Sequence, residues 1–261
     1  MKYAIACSNV IPLRPEPSDK SEMLTQVLFG ELVQIYKYAG NWASIKNVSD
    51  GYLGWIDKKN LIQLTEKQFK KLKCSDKTFI LPDLISYATD NNNCKYLLSA
   101  GSNLPKYNKK DLSFVIGNKK FNLTNTPLKL GRNKRENICN IAQSFLNCTY
   151  LWGGKNPFGI DCSGLSQVVY KIAGINIPRD ASKQVEKGTP ITFLNESQPG
   201  DLAFFDNEEG QIIHVGIILT NNTIIHSSGK VRIDKIDHEG IFNIETQRYT
   251  HKLRVIKSIL G

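Results

Sequence analysis

The stretch that decides the fold of the last third of the chain is residues 149–164, which read TYLWGGKNPFGIDCSG. A glycine-rich turn in this stretch delivers Cys162 to the start of a predicted helix. The apolar positions of that helix recur at helical spacing and are Leu165, Val168, Val169 and Ile172. A helix N-terminus carries about half a positive charge, which is expected to lower the pKa of a thiol from about 8.5 toward neutrality. Because the thiolate is the attacking species, Cys162 is a candidate nucleophile.

Two histidines interrupt apolar runs that predict neighbouring strands. His214 lies within residues 211–218 and His226 within residues 223–228, and a short Asn-Asn turn separates the two runs. Strands joined in this way pair antiparallel, so the two imidazoles are expected at neighbouring positions. In a thiol peptidase the base takes the cysteine proton, and a further polar group orients the ring of that base. Cys162, His214 and His226 are therefore the predicted catalytic residues.

Each of these assignments has a structural alternative. An isolated cysteine is more often a buried, inert residue than a nucleophile. A lone histidine in an apolar strand is likewise more often a hydrogen-bonded core residue than a base. The combination of a cysteine at a helix start with two histidines on paired strands favours catalysis. The remaining histidines, His238 and His251, lie in charged or less regular sequence and are predicted to be surface residues.

The first half of the chain predicts small β-structures. Residues 1–64 are expected to form a small β-barrel in which glycine-containing turns separate short strands. The predicted strands are residues 24–28, 31–38, 42–46 and 52–56. Residues 65–125 are expected to form a second, divergent barrel or a linker domain that begins with a basic helical stretch. Its candidate strands are residues 79–85, 94–98 and 112–116.

Residues 126–261 are predicted to form a domain of a different kind. A polar segment over residues 124–135 marks the boundary, and a helix is expected after it. The apolar positions of this helix are Ile138, Ile141, Ala142 and Phe145. Later in the chain the pattern alternates as strands at residues 202–205, 212–219, 223–226 and 253–256. Two helices followed by an antiparallel sheet predict an α+β domain with helices packed on the sheet.

The composition is typical of a globular protein, with 41% hydrophobic and 22% charged residues. The formal net charge is +10, but the basic residues are spread in short clusters along the chain. This pattern predicts a solvated surface, which allows acidic substrates without indicating them. No basic motif with interleaved aromatic residues indicates nucleic-acid binding, and no apolar run is long enough to cross a membrane.

The six cysteines show no paired spacing of the kind that binds metals, so a zinc site is not expected. They lie among ordinary core-like residues, which predicts a reducing compartment. The apolar run at the start of the sequence is too short for a signal peptide, which predicts a cytoplasmic location. A secreted or periplasmic location is expected instead if a leader has been removed. A monomer is expected.

Several motifs spread over residues 130–260 together resemble the NlpC-type papain-like cysteine peptidases. The motifs are YLWGG at 150–154, DCSG at 161–164, RD at 179–180, PGDL at 199–202 and HVGI at 214–217. The resemblance implies a Cys-His-His arrangement and cleavage of bonds in bacterial cell-wall peptides, with no metal or organic cofactor. It also implies an oxyanion pocket near the Cys162 backbone amide, with the Tyr150 hydroxyl close by.

The first 62 residues resemble the bacterial SH3-type domains that precede this catalytic domain in the γ-D-glutamyl-L-diamino acid endopeptidases. The motifs are LRPEP at 13–17, SEMLTQ at 21–26, FGE at 29–31 and GYLGWI at 51–56. In that subfamily an acid and a tyrosine of the first domain bind the free amine of the substrate's L-Ala. Glu31 and Tyr52 are the candidates for these roles. The alternative is that Glu31 is a turn residue and Tyr52 a core residue.

The resemblance implies further substrate contacts in the peptidase domain. Asp180 is expected to meet the same ammonium group, and Ser163 is expected to donate to the α-carboxylate of D-Glu. A hydroxyl is expected directly after the acid, but the chain has Ala181 there. Arg179 is expected to pair with a carboxylate, either of the substrate or of the protein itself. The candidate substrate contacts in this domain are Asp161, Ser163, Arg179, Asp180 and Ser182.

Taken together, the sequence predicts an endopeptidase that cleaves after γ-D-Glu in free L-Ala-γ-D-Glu-diamino acid murein peptides, in cell-wall peptide recycling. One alternative is a wall-directed peptidoglycan endopeptidase or amidase that uses SH3-type domains as anchors. Another is a binding module with a dead catalytic domain, against which the complete set of Cys162, His214 and His226 argues.

Overall fold

A computed structural model describes residues 2–75 and 78–260. The chain divides into two compact units, each with its own core. The first comprises Met1–Lys129 with Lys155–Pro157, and the second comprises Leu130–Gly154 with Phe158–Gly261. Among the described residues, no helix combines the length and the apolar character needed to cross a bilayer.

The first part of unit one is built from short antiparallel strands. They are β1 Lys2–Ala6, β2 Val10–Leu13, β3 Thr25–Leu28, β4 Leu32–Ala39, β5 Trp42–Asn47, β6 Leu53–Asp57 and β7 Leu61–Leu64, with a 3₁₀ turn at Lys58–Asn60. One sheet has the order β6-β5-β4-β1-β7, and β2 pairs with β3. Alternating residues such as Val33, Ile35 and Ile45 are buried in a shared core. The four strands predicted in residues 24–56 are confirmed within one or two residues at each end.

The middle segment adds a helix and further strands to unit one. They are α1 Glu66–Lys73, β8 Phe79–Ile80, β9 Ile85–Asp90, β10 Lys95–Ser99, β11 Asn103–Leu104, β12 Ser113–Ile116 and β13 Lys119–Leu123. One sheet has the order β10-β9-β13-β12, and β8 pairs with β11. Its core includes Phe114 and Phe121 from this segment together with Ile5 of β1 and Phe29 of the turn after β3. The division of this unit at residue 64 stays a prediction.

A glycine ties these two parts of unit one together. Gly30 has φ +75°, and a Cβ built on it would lie 1.9 Å from the backbone oxygen of Asn103. Asn103 N–H donates to the backbone oxygen of Phe29 at 2.8 Å. The backbone of the middle segment therefore approaches the Phe29-Gly30 turn more closely than any side chain at residue 30 would allow.

Unit two contains most of the remaining helices and strands. The helices are α2 Lys134–Ser144, α3 Cys162–Ile172 and α4 Ala181–Gln184, with a 3₁₀ turn at Leu194–Glu196. The strands are β14 Lys155–Asn156, which groups with unit one, and then β15 Gly159–Ile160, β16 Thr189–Ile191, β17 Leu202–Asp206, β18 Ile212–Thr220, β19 Thr223–Ser228, β20 Lys230–Ile236, β21 Gly240–Asn243 and β22 Arg248–Ser258. The sheet runs β16-β22-β17-β18-β19-β20-β21. Because β21 also pairs with β22, the strands β22 and β17 to β21 close into a barrel.

The α+β class expected for this unit holds in part. Both predicted helices are present, α3 packs against β18 and β19, and α2 and α4 pack against β18. The helices are short, however, and the closed sheet dominates the unit. The strands expected at residues 202–205, 212–219, 223–226 and 253–256 are present, but β20 and β21 were not predicted. They complete the barrel whose interior holds Ile218, Ile224 and Ile236.

Candidate active site

Cys162 is the first residue of α3, and a network of backbone contacts fixes that position. The Asp161 side chain caps the helix by accepting from the N–H of Gly164 at 2.6 Å. It also accepts from the N–H of Gly153 at 2.8 Å, which secures the glycine-rich turn. A Cβ on Gly164 would lie 2.2 Å from the backbone oxygen of Gly154. The glycines around Cys162 therefore allow the turn to pack against the first turn of the helix.

The thiol of Cys162 is buried, with a relative exposure of 9%. Burial, with a smaller contribution from the Asp161 carboxylate, raises the pKa of this thiol to about 11. The backbone N–H groups of Val215 and Ser163 and the Arg179 guanidinium act in the opposite direction but do not offset burial. Loss of hydration therefore acts against the lowering of this pKa that was expected from the helix N-terminus. A base has to take the thiol proton.

His214 on β18 and His226 on β19 meet at the end of the barrel. Nε2 of His214 lies 2.9 Å from Nδ1 of His226, and both side chains are buried. His226 pairs in register with Gly216, two residues beyond His214, so the rings are diagonal neighbours on one face. A Cβ on Gly216 would lie 2.6 Å from Cδ1 of Ile224. The imidazoles are adjacent as their strands predicted, and their catalytic roles stay predictions.

Asp234 on β20 extends this pair, and the sequence reasoning missed it. Its Oδ2 lies 3.1 Å from Nε2 of His226, and the side chain is fully buried. Burial by itself raises the pKa of Asp234, but the hydrogen bonds from His226, Arg232 and the backbone N–H of Ile244 hold that pKa well below its usual range. A signal was available, since Arg232 and Asp234 are charged residues two apart in a strand-like run that directly follows His226.

His251 on β22 is not the surface residue that the sequence predicted. Its ring stacks on that of His214, with centroids 4.1 Å apart and planes 25° apart, and it is partly buried. Its Nδ1 lies 2.8 Å from Oγ1 of Thr250. Burial lowers the pKa of His251 to about 4, so the ring against His214 is neutral near pH 7. This position follows from the pairing of β22 with β17, the strand next to β18, which local sequence does not reveal. His238 is exposed, as predicted.

The three clustered imidazoles do not form a convincing metal site. Ligand nitrogens of His214, His226 and His251 all lie within 4.8 Å of one another. A metal ion must lie in the plane of each imidazole that binds it, and the stacked rings of His214 and His251 offer no shared point of that kind. His214 and His226 also face each other at hydrogen-bond distance. The arrangement suits proton transfer better than ligation.

Three of the predicted substrate contacts form a buried network within the protein. Arg179 donates through Nη1 and Nη2 to the two carboxylate oxygens of Asp161, at 2.9 and 2.6 Å. Nη1 also donates to Oγ of Ser163 at 2.8 Å, and all three residues are buried. Of the two expectations for Arg179, pairing with a carboxylate of the protein is the one observed. The network holds the start of α3 in place.

The other predicted residues of unit two lie around this network. Burial, together with the charges of Cys162 and Asp161, raises the pKa of Tyr150 to about 12, so its hydroxyl stays protonated and interacts with the nucleophile region. Asp180 precedes α4 and is partly buried, whereas Ser182 is exposed on that helix. The charge of Asp180 contributes to the environment of the Arg179 guanidinium.

Glu31 is fully buried in unit one and is held by hydrogen bonds. Its carboxylate accepts from the N–H of Leu28 at 2.9 Å, from Nδ2 of Asn47 at 3.2 Å and from Oγ of Ser49 at 3.3 Å. Nζ of Lys155 lies 4.0 Å from Oε1 of Glu31. These contacts within unit one agree with the alternative that Glu31 is a structural residue of a turn. A role of Glu31 in amine binding stays a prediction.

Tyr52 lies in the same unit at the turn before β6. Its N–H donates to Oδ1 of Asp50 at 3.1 Å, and its partly buried ring packs against the core that contains Ile45 and Ile56. Nζ of Lys155 lies 3.7 Å from Oδ2 of Asp50. Tyr52 therefore has the packing of a core residue, and its contact with substrate stays a prediction.

The imidazole cluster is expected to make the folded protein less stable in acid. Burial lowers the pKa of His214, His226 and His251 below the value of about 6.5 that histidine has in an unfolded chain. Between the folded and unfolded pKa values the unfolded chain binds more protons. The stabilisation present above about pH 6.5 is therefore lost as the pH falls below that value. We expect Tm, followed by circular dichroism, to fall between pH 7.5 and pH 5.0.

Two variants isolate this effect. His251→Phe keeps an aromatic ring against His214 and removes a titrating group, so its Tm should fall less over the same interval. His238→Phe changes an exposed histidine and should leave the fall unchanged. A wild-type Tm that is equal at both pH values would contradict the assignment of neutral, buried imidazoles.

Comparison with known proteins decides the family. The profile described as the NlpC/P60 family matches residues 147–252, and that described as the bacterial dipeptidyl-peptidase Sh3 domain matches residues 13–61. A gamma-D-glutamyl-L-lysine dipeptidyl-peptidase of Bacillus subtilis strain 168 is 32% identical over 217 residues, which cover 78% of this chain and 71% of that protein. The chain belongs to the NlpC/P60 family. This NlpC/P60 protein is a cysteine peptidase, and thus a hydrolase, with an SH3-type domain before its papain-like catalytic domain.

Two further matches extend over most of this NlpC/P60 chain. A gamma-D-glutamyl-L-lysine dipeptidyl-peptidase from Bacillus cereus ATCC 10987 is 29% identical over 236 residues, which cover 80% of this chain and 68% of that protein. A crystal structure of an NlpC/P60 family protein from the same organism superposes with a TM-score of 0.82 at 20% identity. It covers 99% of this chain and 100% of that one, which confirms the fold along the whole length.

Proposed function

We propose that this peptidase hydrolyses the bond between γ-D-Glu and the diamino acid in free murein peptides with an N-terminal L-Ala, in cell-wall peptide recycling. The observation that carries the proposal is the extent of the match to the Bacillus subtilis relative. It covers 78% of the chain and so reaches well beyond the peptidase match at residues 147–252. The name of that relative specifies a gamma-D-glutamyl-L-lysine bond, which supports L-Lys as the first diamino acid to test.

The proposed chemistry gives Cys162, His214 and Tyr150 the roles that the family resemblance implies. His214 takes the proton from Sγ of Cys162 as Sγ bonds to the carbonyl carbon of γ-D-Glu. The negative charge on the carbonyl oxygen is met by the Cys162 backbone N–H and by the protonated hydroxyl of Tyr150. The imidazolium then returns its proton to the nitrogen of the departing diamino acid. Water, activated by the neutral His214, hydrolyses the thioester and restores the thiol.

The proposal includes recognition of the free α-amine of L-Ala, for which Glu31, Tyr52 and Asp180 are the candidates. Recognition at the free end makes cleavage depend on an uncapped peptide. The six cysteines are free thiols, which supports a reducing compartment, and we extend the proposal to the cytoplasm, where peptides from wall turnover would be processed.

The test compares L-Ala-γ-D-Glu-L-Lys with its N-acetylated form, using mass spectrometry to follow release of the dipeptide. Acetylation removes the ammonium charge that the candidate carboxylates are proposed to meet, and losing this contact is expected to lower kcat/KM about 100-fold. The matching peptide with meso-diaminopimelate tests the choice of diamino acid. Cys162→Ala serves as the inactive control.

Other outcomes separate the alternatives. Equal rates on the free and acetylated peptides, together with cleavage of intact peptidoglycan, would replace this proposal with a wall-directed endopeptidase. Failure of the folded protein to cleave either peptide would remove the substrate assignment.

A further inference from the structure

Asp234 is the last residue of a hydrogen-bonded chain that runs from His214 through His226. Its carboxylate faces four donors: Nε2 of His226, Nε and Nη2 of Arg232, and the N–H of Ile244. The distances are 3.1, 2.6, 3.0 and 3.1 Å, and the side chain has no exposed surface. Arg232 is itself held by Glu245 at 2.9 Å and by Asn243 at 3.2 Å.

We propose that Asp234 is a positioning residue that fixes the tautomers of His226 and His214, and so selects Nδ1 of His214 as the atom that takes the Cys162 proton. The inference rests on the proposed function, because it assigns Cys162 and His214 the roles given above.

The argument begins at the carboxylate, which can only accept hydrogen bonds while it is ionised. The bidentate guanidinium of Arg232 keeps Asp234 ionised, so Nε2 of His226 has to carry a proton. Burial lowers the pKa of His226, which leaves the ring neutral with an unprotonated Nδ1. Since that atom lies 2.9 Å from Nε2 of His214, it accepts a hydrogen bond from Nε2, which therefore carries a proton.

His214 then has one nitrogen left. Burial lowers the pKa of His214 well below its usual value, so this ring is also neutral before reaction. With Nε2 protonated and donating to His226, Nδ1 of His214 holds the free lone pair. In this state Nδ1 of His214 is the atom able to accept the proton from Sγ of Cys162. The imidazolium formed in that step keeps its hydrogen bond to His226, whose own donor remains on the Asp234 carboxylate.

Arg232 keeps the Asp234 carboxylate ionised, so that Asp234 accepts a hydrogen bond from His226 and does not take its proton. A carboxylate without a cationic partner could take the proton from His226, which would leave the tautomers undetermined. The guanidinium instead neutralises Asp234 and donates to both of its oxygens, sharing Oδ2 with Nε2 of His226. Asp234 therefore orients the rings and does not act as a proton acceptor.

Asp234→Asn tests the inference because the amide has a preferred orientation. At the Oδ1 position an NH₂ group would face two fixed donors, Nη2 of Arg232 and the N–H of Ile244. At the Oδ2 position it would face one fixed donor, Nε of Arg232, and one group that can change, Nε2 of His226. The NH₂ is therefore expected at Oδ2, donating to His226. The proton then moves to Nδ1 in both histidines, and His214 can no longer accept the thiol proton.

The kinetic prediction is a split between kcat and KM. Asp234→Asn should lower kcat about 100-fold or more, with KM for the tripeptide within about threefold of wild type, as for a catalytic histidine held in the wrong tautomer. Asp201→Asn is the matched control, since Asp201 is also buried and accepts from Arg135 at 2.8 Å, away from the two histidines. Its kcat should stay within about threefold of wild type. An equal loss in both variants, or an unchanged kcat in Asp234→Asn, would overturn the inference.

A second measurement needs no substrate and separates this inference from the proposed function. The chain has four histidines, so ¹⁵N imidazole shifts and their couplings to ring protons can be assigned by replacing each in turn. Near pH 7.5, wild type should show His214 and His226 protonated on Nε2, and Asp234→Asn should show both protonated on Nδ1. A wild-type His214 that carries its proton on Nδ1 would refute the role of Asp234 even if the tripeptide is cleaved. The expected tautomers would support that role even if another peptide proves to be the substrate.

Discussion

Replacing Cys162 by alanine is expected to lower the rate of peptide hydrolysis by about 10⁴-fold or more, because the covalent step loses its nucleophile. The change removes one buried sulfur atom and leaves the Asp161 cap of α3 in place, so the far-UV circular dichroism spectrum should match wild type. The measurement is single-turnover and steady-state release of the dipeptide from the tripeptide substrate.

The matched control for this prediction is Cys139→Ala. Cys139 lies on α2, is partly buried, and has its Sγ 3.9 Å from the backbone oxygen of Ile218. Burial raises the pKa of that thiol to about 11, as it does for Cys162, and Cys139 has no role in the proposed mechanism. Cys139→Ala should retain wild-type kcat. Activity in Cys162→Ala that exceeds a hundredth of wild type would mean that another group attacks the substrate.

Replacing Asp161 by alanine is expected to destabilise the peptidase unit by about 3–5 kcal/mol, because it leaves the buried Arg179 guanidinium without its partner. The same change removes the N-cap of α3 and the acceptor that holds the Gly153 N–H. Cys162 would then lose its fixed position, so kcat should fall together with stability. Urea unfolding followed by tryptophan fluorescence gives the first effect, and hydrolysis of the tripeptide gives the second.

A double variant distinguishes an unpaired charge from a lost substrate contact. Asp161→Ala with Arg179→Met removes the uncompensated guanidinium and should recover part of the stability lost in the single variant. Lys183→Ala breaks an exposed ion pair with Glu186 and should leave the unfolding curve unchanged. If Asp161→Ala unfolds at the same urea concentration as wild type but binds the tripeptide poorly, Asp161 serves the substrate and not the fold.

Local sequence predicted the parts of the site that local structure creates. The start of α3 is visible in the glycine-rich turn and in the apolar stripe after Cys162. The adjacency of His214 and His226 follows from two apolar runs and the short turn between them. Both inferences need knowledge of a single helix or a single hairpin, which periodicity provides.

The missed parts depend on contacts that periodicity does not encode. Asp234 lies on β20, a strand that sequence reasoning did not predict, and His251 reaches His214 because β22 pairs with β17, the neighbour of β18. The thiol pKa was expected to fall on the basis of the helix N-terminus alone, whereas burial decides its direction. Each of these requires the closed sheet and its desolvated interior.

Charged residues of the motifs posed a related difficulty. Arg179 and Asp161 stand at positions that a family resemblance assigns to substrate, yet they pair with each other in the interior. Glu31 likewise meets donors of its own unit. A sequence shows that a charged residue is present but not which partner satisfies it, and burial makes the choice of partner decisive.

The short sequence separations among His214, His226 and Asp234 have a consequence for how the enzyme folds. The hydrogen bonds from His214 to His226 and from His226 to Asp234 span 12 and 8 residues, within consecutive strands. Contacts this local close at little entropic cost and are expected early in folding. Cys162 is synthesised before these strands and meets them only when α3 docks on β18 and β19. Until then it is an ordinary thiol without a neighbouring base, so the emerging chain carries no activated cysteine.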